Sequence, residues 1–192
     1  MKQKIITISR EFGSGGRYIG EAVAKKLNYE YYDKNIIERI SEESGLSKDF
    51  IKEAGEYAPS KSKFAYSFLS RTPNGMALED YIFNIQTGII KECALKKSCV
   101  IIGRCADFIL KDYDCFNVFI YGDTEIKKRR IMEIYNVSDE KALKLMKETD
   151  ERRKVNYNYC TGHKWGQVHN YTLSLNSSQI GIEKCIDIIT NL

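Results

Sequence analysis

Short apolar runs alternate with amphipathic stretches along most of this sequence. The apolar runs are rich in β-branched or aromatic residues, which is typical of strands. They cover residues 4–9, 29–33, 99–103, 115–122 and 171–176. The amphipathic stretches repeat apolar residues every three to four positions and therefore predict helices. They cover residues 17–28, 34–45, 47–57, 77–97, 123–135, 138–159 and 181–192.

Strands that alternate with helices predict an α/β fold, in which a parallel five-stranded sheet carries helices on both faces. Residues 58–76 break the periodicity and are predicted to form a loop. We expect a single domain over residues 1–192. Ligands of such folds bind beyond the carboxyl ends of the strands, so the stretches that follow the strands should converge on one site. These stretches are residues 10–17, 33, 103–107, 121–123 and 176–178.

The first of these stretches carries three glycines within four residues, since Gly13, Gly15 and Gly16 surround Ser14 and precede Arg17. Glycine adopts positive φ angles and lets other groups approach the backbone closely. The N–H groups of such a turn, with the positive end of the following helix dipole, can bind a phosphate. One glycine would be enough for a plain turn between strand and helix. The segment therefore predicts an anion site.

This segment departs from the GxxxxGK[ST] pattern of a phosphate-binding loop. If Arg17 takes the place of the lysine, Tyr18 takes that of the hydroxyl residue. If the spacing from the strand decides instead, Gly16 takes the place of the lysine. In both alignments the hydroxyl that helps to hold Mg²⁺ is absent. Arg17 can still supply charge and two-point contacts, although arginine is not equivalent to lysine.

Four segments, in this order, resemble the cytidylate kinase-like family, a branch of the P-loop nucleoside monophosphate kinases. They are "ITISREFGSGGRYIGEAVAKKL", "YEYYDKNII", "CVIIGRCADFIL", and "TDERRKVNYNYCTGHKW" followed by "YTLSLNSSQIGIE". The resemblance also includes "VFIYGDTEIKKRR" and implies a three-layer fold of the P-loop NTPase type. It implies an insert on the acceptor side at residues 46–85 and a lid at residues 124–166. This sequence differs from the family in the insert, because family members have small strands there and this sequence predicts helix and loop.

The resemblance implies a role for each part of the glycine segment and for three residues beyond it. Gly13, Ser14, Gly15, Gly16 and Arg17 would cradle the phosphates of the donor. The residues implied for the acceptor are Asp33, Arg104 and Asp107.

Arg104 matches the arginine of the family's GRD motif, which binds the acceptor phosphate, while Cys105 stands in place of the aspartate. Asp107 is a candidate substitute for that aspartate or, alternatively, a residue on the surface of a helix. Asp33 follows the second strand, where cytidylate kinases also have an acid. Its alternative role is to cap the following helix.

Arginines in the lid region resemble those that close on the transferring phosphate. Arg17, Arg130 and Arg153 are the candidate catalytic residues, because phosphoryl transfer needs positive charge around the equatorial oxygens. The same resemblance covers Arg129 and Arg152. The alternative for each of these arginines is a position on the solvated surface of a helix, without a role in catalysis. Asp150 lies three residues before Arg153 and could orient it.

The segment 156–171 gathers tyrosines, a tryptophan and two histidines. Its aromatic rings could stack on a base or pack against the core. We favour packing.

Composition narrows the class of partner. The net charge is +4 and the pI is about 8.6, which suits nucleotides and phosphates as well as nucleic acid. No run of five like charges and no apolar run of membrane-spanning length occurs, so we expect neither nucleic acid nor membrane as a partner. The six cysteines form no CxxC pair, and the two histidines lie in one segment, so we expect no metal held by the protein. We also expect the cysteines to be reduced thiols, as in a cytoplasmic protein. The sequence is compatible with a homo-oligomer as well as with a monomer.

Together these features predict ATP-dependent phosphoryl transfer to a nucleoside monophosphate, CMP or dCMP first, with ATP and Mg²⁺ as cofactors. Two alternatives remain at this point. One is a regulatory protein that binds nucleotides through a degenerate P-loop. The other is a kinase of a different small acceptor.

Overall fold

The computed structural model describes residues 4–54 and 75–191. Five parallel strands form one sheet in the order β2-β3-β1-β4-β5. The strands are β1 (Ile5–Arg10), β2 (Glu30–Tyr32), β3 (Cys99–Ile102), β4 (Cys115–Tyr121) and β5 (Leu173–Asn176). The predicted α/β class with a five-stranded parallel sheet is confirmed.

Helices lie on both faces of this sheet. They are α1 (Gly16–Leu27), α2 (Lys34–Ser44), α3 (Lys48–Ala54), α4 (Leu78–Lys96), α5 (Ala106–Ile109), α6 (Thr124–Tyr135), α7 (Asp139–Thr161), α8 (Ser177–Ile180) and α9 (Ile182–Thr190). A 3₁₀ turn covers Val168–Asn170. Each helix predicted from periodicity is present. The four-residue helices α5 and α8 were not predicted, because so short a segment shows no period. Residues 55–74, which hold most of the predicted loop, lie outside the described residues.

Local side chains explain where several helices begin and end. Gly45 has a φ of 71° and ends α2 in the left-handed conformation. The Ser138 side chain accepts a hydrogen bond from the Lys141 N–H at the start of α7. Asp123 precedes α6, but its side chain does not cap the helix. The Asp123 carboxylate instead accepts from the side chains of Asn176 and Gln179.

Alternation along the strands creates a separate apolar core on each face of the sheet. In β1, Ile6 and Ile8 face one core, which α1 and α9 cover, whereas Ile5 faces the other, which α2 and α4 cover. Ile8 is fully buried, and burial of such a side chain contributes about 1.5–3 kcal/mol. No helix among the described residues combines the length and the apolarity that a membrane span requires.

The register brings the carboxyl ends of the strands together. Ile8 pairs with Ile102 and Arg10 pairs with Ile120, so β1 extends two residues past its partner residue in β3. The Gly103 N–H donates to the Ile8 carbonyl at 2.9 Å and the Glu11 N–H donates to the Ile120 carbonyl at 2.9 Å. These bonds fix the starting points of the loops that follow β1 and β3.

Candidate functional site

The glycine loop between β1 and α1 is a tight turn. Gly13 and Gly15 have φ angles of 80° and 81°, a conformation that only glycine adopts without strain. A Cβ at Gly13 would lie 2.7 Å from the carbonyl oxygen of Lys127, so α6 also packs too closely for a side chain. The Ser14 hydroxyl donates to the Glu11 carbonyl at 2.8 Å and closes the turn. A turn of this shape, followed by a helix of twelve residues, can receive an anion.

The ends of β1 and α1 favour one of the two alignments with the P-loop pattern. Strand β1 ends at Arg10 and α1 begins at Gly16, six positions later. The pattern GxxxxGK has its lysine six positions after the first glycine. On this spacing Arg10 takes the place of the first glycine, Gly16 that of the lysine, and Arg17 that of the hydroxyl residue.

Two helices anchor the loop through a buried charged cluster. Lys127 is 6% exposed, and its Nζ lies 2.7 Å from Glu11 Oε2 and 4.0 Å from Asp150 Oδ2. Asp150 Oδ1 accepts from the Phe12 N–H at 2.7 Å. Burial raises the pKa of Asp150 to about 6, and the charges of Arg153 and Lys127 together with the Phe12 hydrogen bond oppose the rise. The loop is therefore tied to α6 by Lys127 and to α7 by Asp150.

The two candidate catalytic arginines of the lid hold backbone carbonyls at the loop. Arg130 Nη1 donates to the Gly13 carbonyl at 2.6 Å. Arg153 Nη1 donates to the Arg10 carbonyl at 3.0 Å, and lies 3.4 Å from Asp150 Oδ1, so Asp150 does orient Arg153. Arg153 is 7% exposed, which excludes a solvated helix surface for this residue.

A cleft of about 280 Å³ opens beside the glycine loop. It is lined by Arg17, Asp33, Lys34, Ile37, Glu38, Lys48 and Arg104. Arg17, predicted to cradle donor phosphates, extends into this cleft, where its Nε lies 2.7 Å from Asp33 Oδ2 and its Nη2 donates to Oδ1 at 3.3 Å. Asp33 precedes α2 but makes no capping hydrogen bond with its side chain, so the capping alternative is wrong.

Arg104 reaches the cleft from a strained turn. Gly103, Arg104 and Cys105 have φ angles of 62°, 60° and 54°, which places three consecutive residues in the left-handed region. Non-glycine residues there cost about 1–3 kcal/mol each, and such strain clusters at functional sites. The Gln86 side chain donates to the Arg104 carbonyl at 2.9 Å and supports the turn. Arg104, Asp33 and Arg17 thus meet in one cleft, as convergence at the strand ends predicts.

Asp107 lies apart from these residues and is not part of the cleft lining. It is 4% exposed on α5, which excludes a surface helix position. The Tyr157 hydroxyl donates to its Oδ2 at 2.6 Å, and its Oδ1 has no hydrogen-bond partner among the described residues. Burial raises the pKa of Asp107, and the Tyr157 hydrogen bond opposes this.

The aromatic residues of segment 156–171 mostly pack, as favoured from the sequence. Trp165 and Tyr171 contact the Phe119 ring with centroid distances of 5.4 Å and 4.8 Å, and Tyr157 is buried. Tyr159 is exposed, and its hydroxyl donates to Asp80 at 3.2 Å.

Sequence reasoning missed Arg10, Glu11 and Lys127. Lys127 stands in the run KKRR, where nothing in the sequence distinguishes the buried lysine from the three cationic residues that follow it. Arg10 and Glu11 belong to the stretch expected at the site, and the only available signal was a charged pair directly after a buried strand.

Comparisons with known proteins agree with this arrangement. The sequence profile of the cytidylate kinase-like family matches residues 5–179. No curated protein matches the chain. An uncharacterized protein from Eubacterium ventriosum, solved by crystallography, is 30% identical with a TM-score of 0.72, over 98% of this chain and 97% of that one.

Kinases of small molecules share the fold at lower identity. A shikimate kinase from Bacteroides thetaiotaomicron is 16% identical with a TM-score of 0.55, over 98% of this chain and 97% of that one. A sugar kinase from Janibacter is 13% identical with a TM-score of 0.54, over 99% of this chain and 94% of that one. These two likenesses concern the fold alone. Because the family profile covers most of the sequence and the fold is kinase-like, the chain belongs to the cytidylate kinase-like family.

Proposed function

We propose that the protein transfers the γ-phosphoryl group of ATP to a nucleoside monophosphate, with CMP or dCMP as the first candidates. The observation that carries the proposal is the cleft in which Arg17, Asp33 and Arg104 meet beside the glycine loop. Phosphoryl transfer requires two phosphate sites next to each other and positive charge between them. The family supplies the acceptor class.

The glycine loop would bind the phosphates of ATP. Gly13, Ser14, Gly15 and Gly16 form a turn at the start of α1, where the helix dipole favours negative charge. Added Cβ atoms at Gly13, Gly15 and Gly16 would lie 2.5–2.7 Å from neighbouring protein atoms, so the shape of the turn depends on glycine at these positions. A glycine turn at a helix N-terminus is suited to a phosphate group and supports ATP as the donor.

Mg²⁺ fits this chain less well than ATP does. The described residues contain no group of three or more Asp, Glu, His or Cys that could hold a metal ion. Arg17 also stands where the P-loop pattern has its hydroxyl ligand. The ion would therefore arrive as the magnesium salt of ATP, held by the nucleotide.

The cleft would bind the acceptor through its cations. Arg104 and Arg17 are suited to two-point contacts with a phosphate group. Arg17 is already paired with Asp33, so the acceptor phosphate and the Asp33 carboxylate would share its guanidinium group. Asp33 would in turn be placed to accept a hydrogen bond from the acceptor.

The charged lining of the cleft favours one second candidate, a kinase of a different small anionic acceptor. Among the described lining residues only Ile37 is apolar, and none is aromatic. A base-binding pocket usually offers an apolar or aromatic surface. A small carboxylate or sugar phosphate would need only the cations.

The test is ADP release by the purified protein with Mg-ATP and a panel of acceptors. The panel contains the nucleoside monophosphates, dCMP, shikimate as a small carboxylate, and simple sugar phosphates. We expect turnover with CMP or dCMP and a higher KM for that acceptor in Arg17→Ala and Arg104→Ala. Lys26→Ala removes a charge at the far end of α1, where Lys26 pairs with Asp187, and should behave as wild type.

The other outcomes separate the alternatives. Turnover only with shikimate or a sugar phosphate would replace the nucleotide acceptor by the second candidate. ATP binding without turnover for any acceptor would contradict a kinase and support a regulatory protein with a degenerate loop.

A further inference from the structure

The position that carries the P-loop lysine in the favoured alignment cannot accommodate any side chain. A Cβ at Gly16 would lie 2.5 Å from Arg10 Cβ, 3.0 Å from Arg10 Cγ and 3.3 Å from Ile120 Cβ. The nearest of these atoms belongs to a strand, which cannot move aside as the tip of a side chain can. The stem of Arg10 therefore occupies the space through which a lysine at position 16 would leave the backbone. Arginine at 10 and lysine at 16 exclude one another.

Arg10 brings its charge to the same end of the sheet. It is the last residue of β1 and, by alternation, lies on the same face as Ile6 and Ile8, the face covered by α1. Arg10 is 5% exposed. Its stem lies against Gly16, the first residue of α1, and its guanidinium group is a cation suited to phosphate.

The charge of Arg10 acts on Tyr31, whose hydroxyl contacts α1. The Tyr31 hydroxyl donates to the Arg17 carbonyl in the first turn of α1, at 3.4 Å. Burial and the Asp33 carboxylate raise the pKa of Tyr31, and the charges of Arg17 and Arg10 oppose the rise. Both guanidinium groups thus lie within electrostatic reach of one hydroxyl that contacts α1 and neighbours the cleft residue Asp33.

The backbone of Arg10 is held rigidly. Arg10 pairs with Ile120 in β4, and Arg153 Nη1 donates to the Arg10 carbonyl at 3.0 Å. The side chain therefore starts from a fixed point. A preorganised charge of this kind is the form in which electrostatic stabilisation is most effective.

We infer that Arg10 supplies to the donor phosphates the positive charge that a P-loop lysine would supply, with its side chain passing over Gly16. The inference rests on the proposed phosphoryl transfer and identifies a catalytic residue for it. In that reaction an oxygen of the acceptor forms a bond to the γ-phosphorus and the bond from this phosphorus to the bridging oxygen breaks. The electron pair stays on the oxygen of ADP. An ionised phosphate acceptor has no proton to lose. Arg10 would stabilise the negative charge that grows on ADP.

The chain offers a rescue experiment. Arg10→Gly together with Gly16→Lys turns REFGSGGR into GEFGSGKR, which restores the glycine and the lysine of the GxxxxGK pattern. Arg10→Gly also removes the Cβ that blocks position 16. We expect Arg10→Gly alone to bind ATP weakly, and the double variant to recover affinity and turnover. Gly16→Lys alone should lose both, because its Cβ meets Arg10 Cβ.

Two milder variants keep the inference testable if the glycine variants fold poorly. Arg10→Met removes the charge but keeps most of the volume, and we expect about a 100-fold loss in kcat, the size seen when one preorganised donor is removed. Arg10→Lys should retain most of the activity. Lys26→Met is the control for loss of a remote charge. Calorimetry with ATP and with adenosine separates the loss of the Arg10 charge from a disrupted binding site. If only the charge is lost, the affinity for ATP should fall and the affinity for adenosine should not.

The outcomes distinguish this inference from the proposed function. If Arg10→Met binds ATP and turns over as the wild type does, Arg10 has no such role although the protein is a kinase. Equal loss of ATP and adenosine binding in Arg10→Met would make Arg10 structural and overturn the inference. If the wild type binds no ATP, the proposed function fails and the inference fails with it.

Discussion

At the scale of single residues, Asp150 makes the stability of the protein depend on pH. Its carboxylate is partly buried between Lys127 and Arg153 and accepts from the Phe12 N–H, and its pKa rises from 3.8 to about 6. An acid with a higher pKa in the folded state holds its proton more tightly when folded. The resulting stabilisation is fully present below pH 4 and is lost as the pH rises through about 6.

We therefore predict a specific difference between the wild type and Asp150→Asn in urea unfolding at several pH values. The wild type should lose roughly 2 kcal/mol relative to the variant between pH 4 and pH 7, because only the wild type must ionise this group in the folded protein. Asp187→Asn is the control. The Lys26 hydrogen bond lowers the pKa of Asp187. The difference in unfolding free energy between the wild type and Asp187→Asn should therefore not change with pH above pH 4.5. A flat difference for Asp150→Asn would show that Asp150 titrates normally.

At the scale of elements, the buried Arg153 attaches α7 to the end of β1, next to the contact of Asp150 with the loop. Arg153 donates to the Arg10 carbonyl and pairs with Asp150, while the next residue, Lys154, is half exposed and pairs with Glu151 at 3.5 Å. Arg153→Ala should lower the free energy of unfolding by about 3 kcal/mol, because it leaves the partly buried Asp150 carboxylate and the buried Arg10 carbonyl without this partner. Lys154→Ala should cost at most about 0.5 kcal/mol.

Urea unfolding of the two variants measures this difference, and ATP affinity measures its consequence for the loop. Arg153→Ala should also weaken ATP binding, since the backbone of Arg10 loses a contact. If the two variants are equally stable, the ion pair of Arg153 is not a structural element of this protein. If Arg153→Ala is unstable but binds ATP normally, α7 does not act on the loop.

The elements themselves were largely predictable from the sequence, because periodicity is a local property. The strand at 99–103 and the helix at 138–159 were placed within two residues of their observed ends. The direction of a side chain is not local. Arg17 follows the glycines, which predicts a contact with the donor phosphates, yet Asp33, sixteen residues away, holds it in the cleft. The contact between Arg10 and Gly16 depends on how β1 meets α1, which no pattern of residues states.

At the scale of the whole molecule, the two cores provide a test of the expected single domain. Cys99 and Cys185 are both fully buried, but Cys99 belongs to the core beneath α2 and α4, and Cys185 to the core beneath α1 and α9. Burial raises the pKa of Cys99 to about 12 and also raises that of Cys185. A thiol reacts as the thiolate, so neither cysteine should react while the protein is folded.

Labelling of these thiols must then pass through unfolding, and its rate reports how much of the molecule opens. We predict that iodoacetamide, followed by mass spectrometry of the two peptides, labels Cys99 and Cys185 at the same rate, because the shared sheet joins both cores into one cooperative unit. ATP should slow both reactions by the same factor, since a ligand that binds only the folded state lowers the population of every open form equally. The partly buried Cys160 provides an internal reference for a thiol nearer the surface. Faster labelling of Cys185 would mean that the layer of α1 and α9 opens on its own, and the two cores would then not unfold as one cooperative unit.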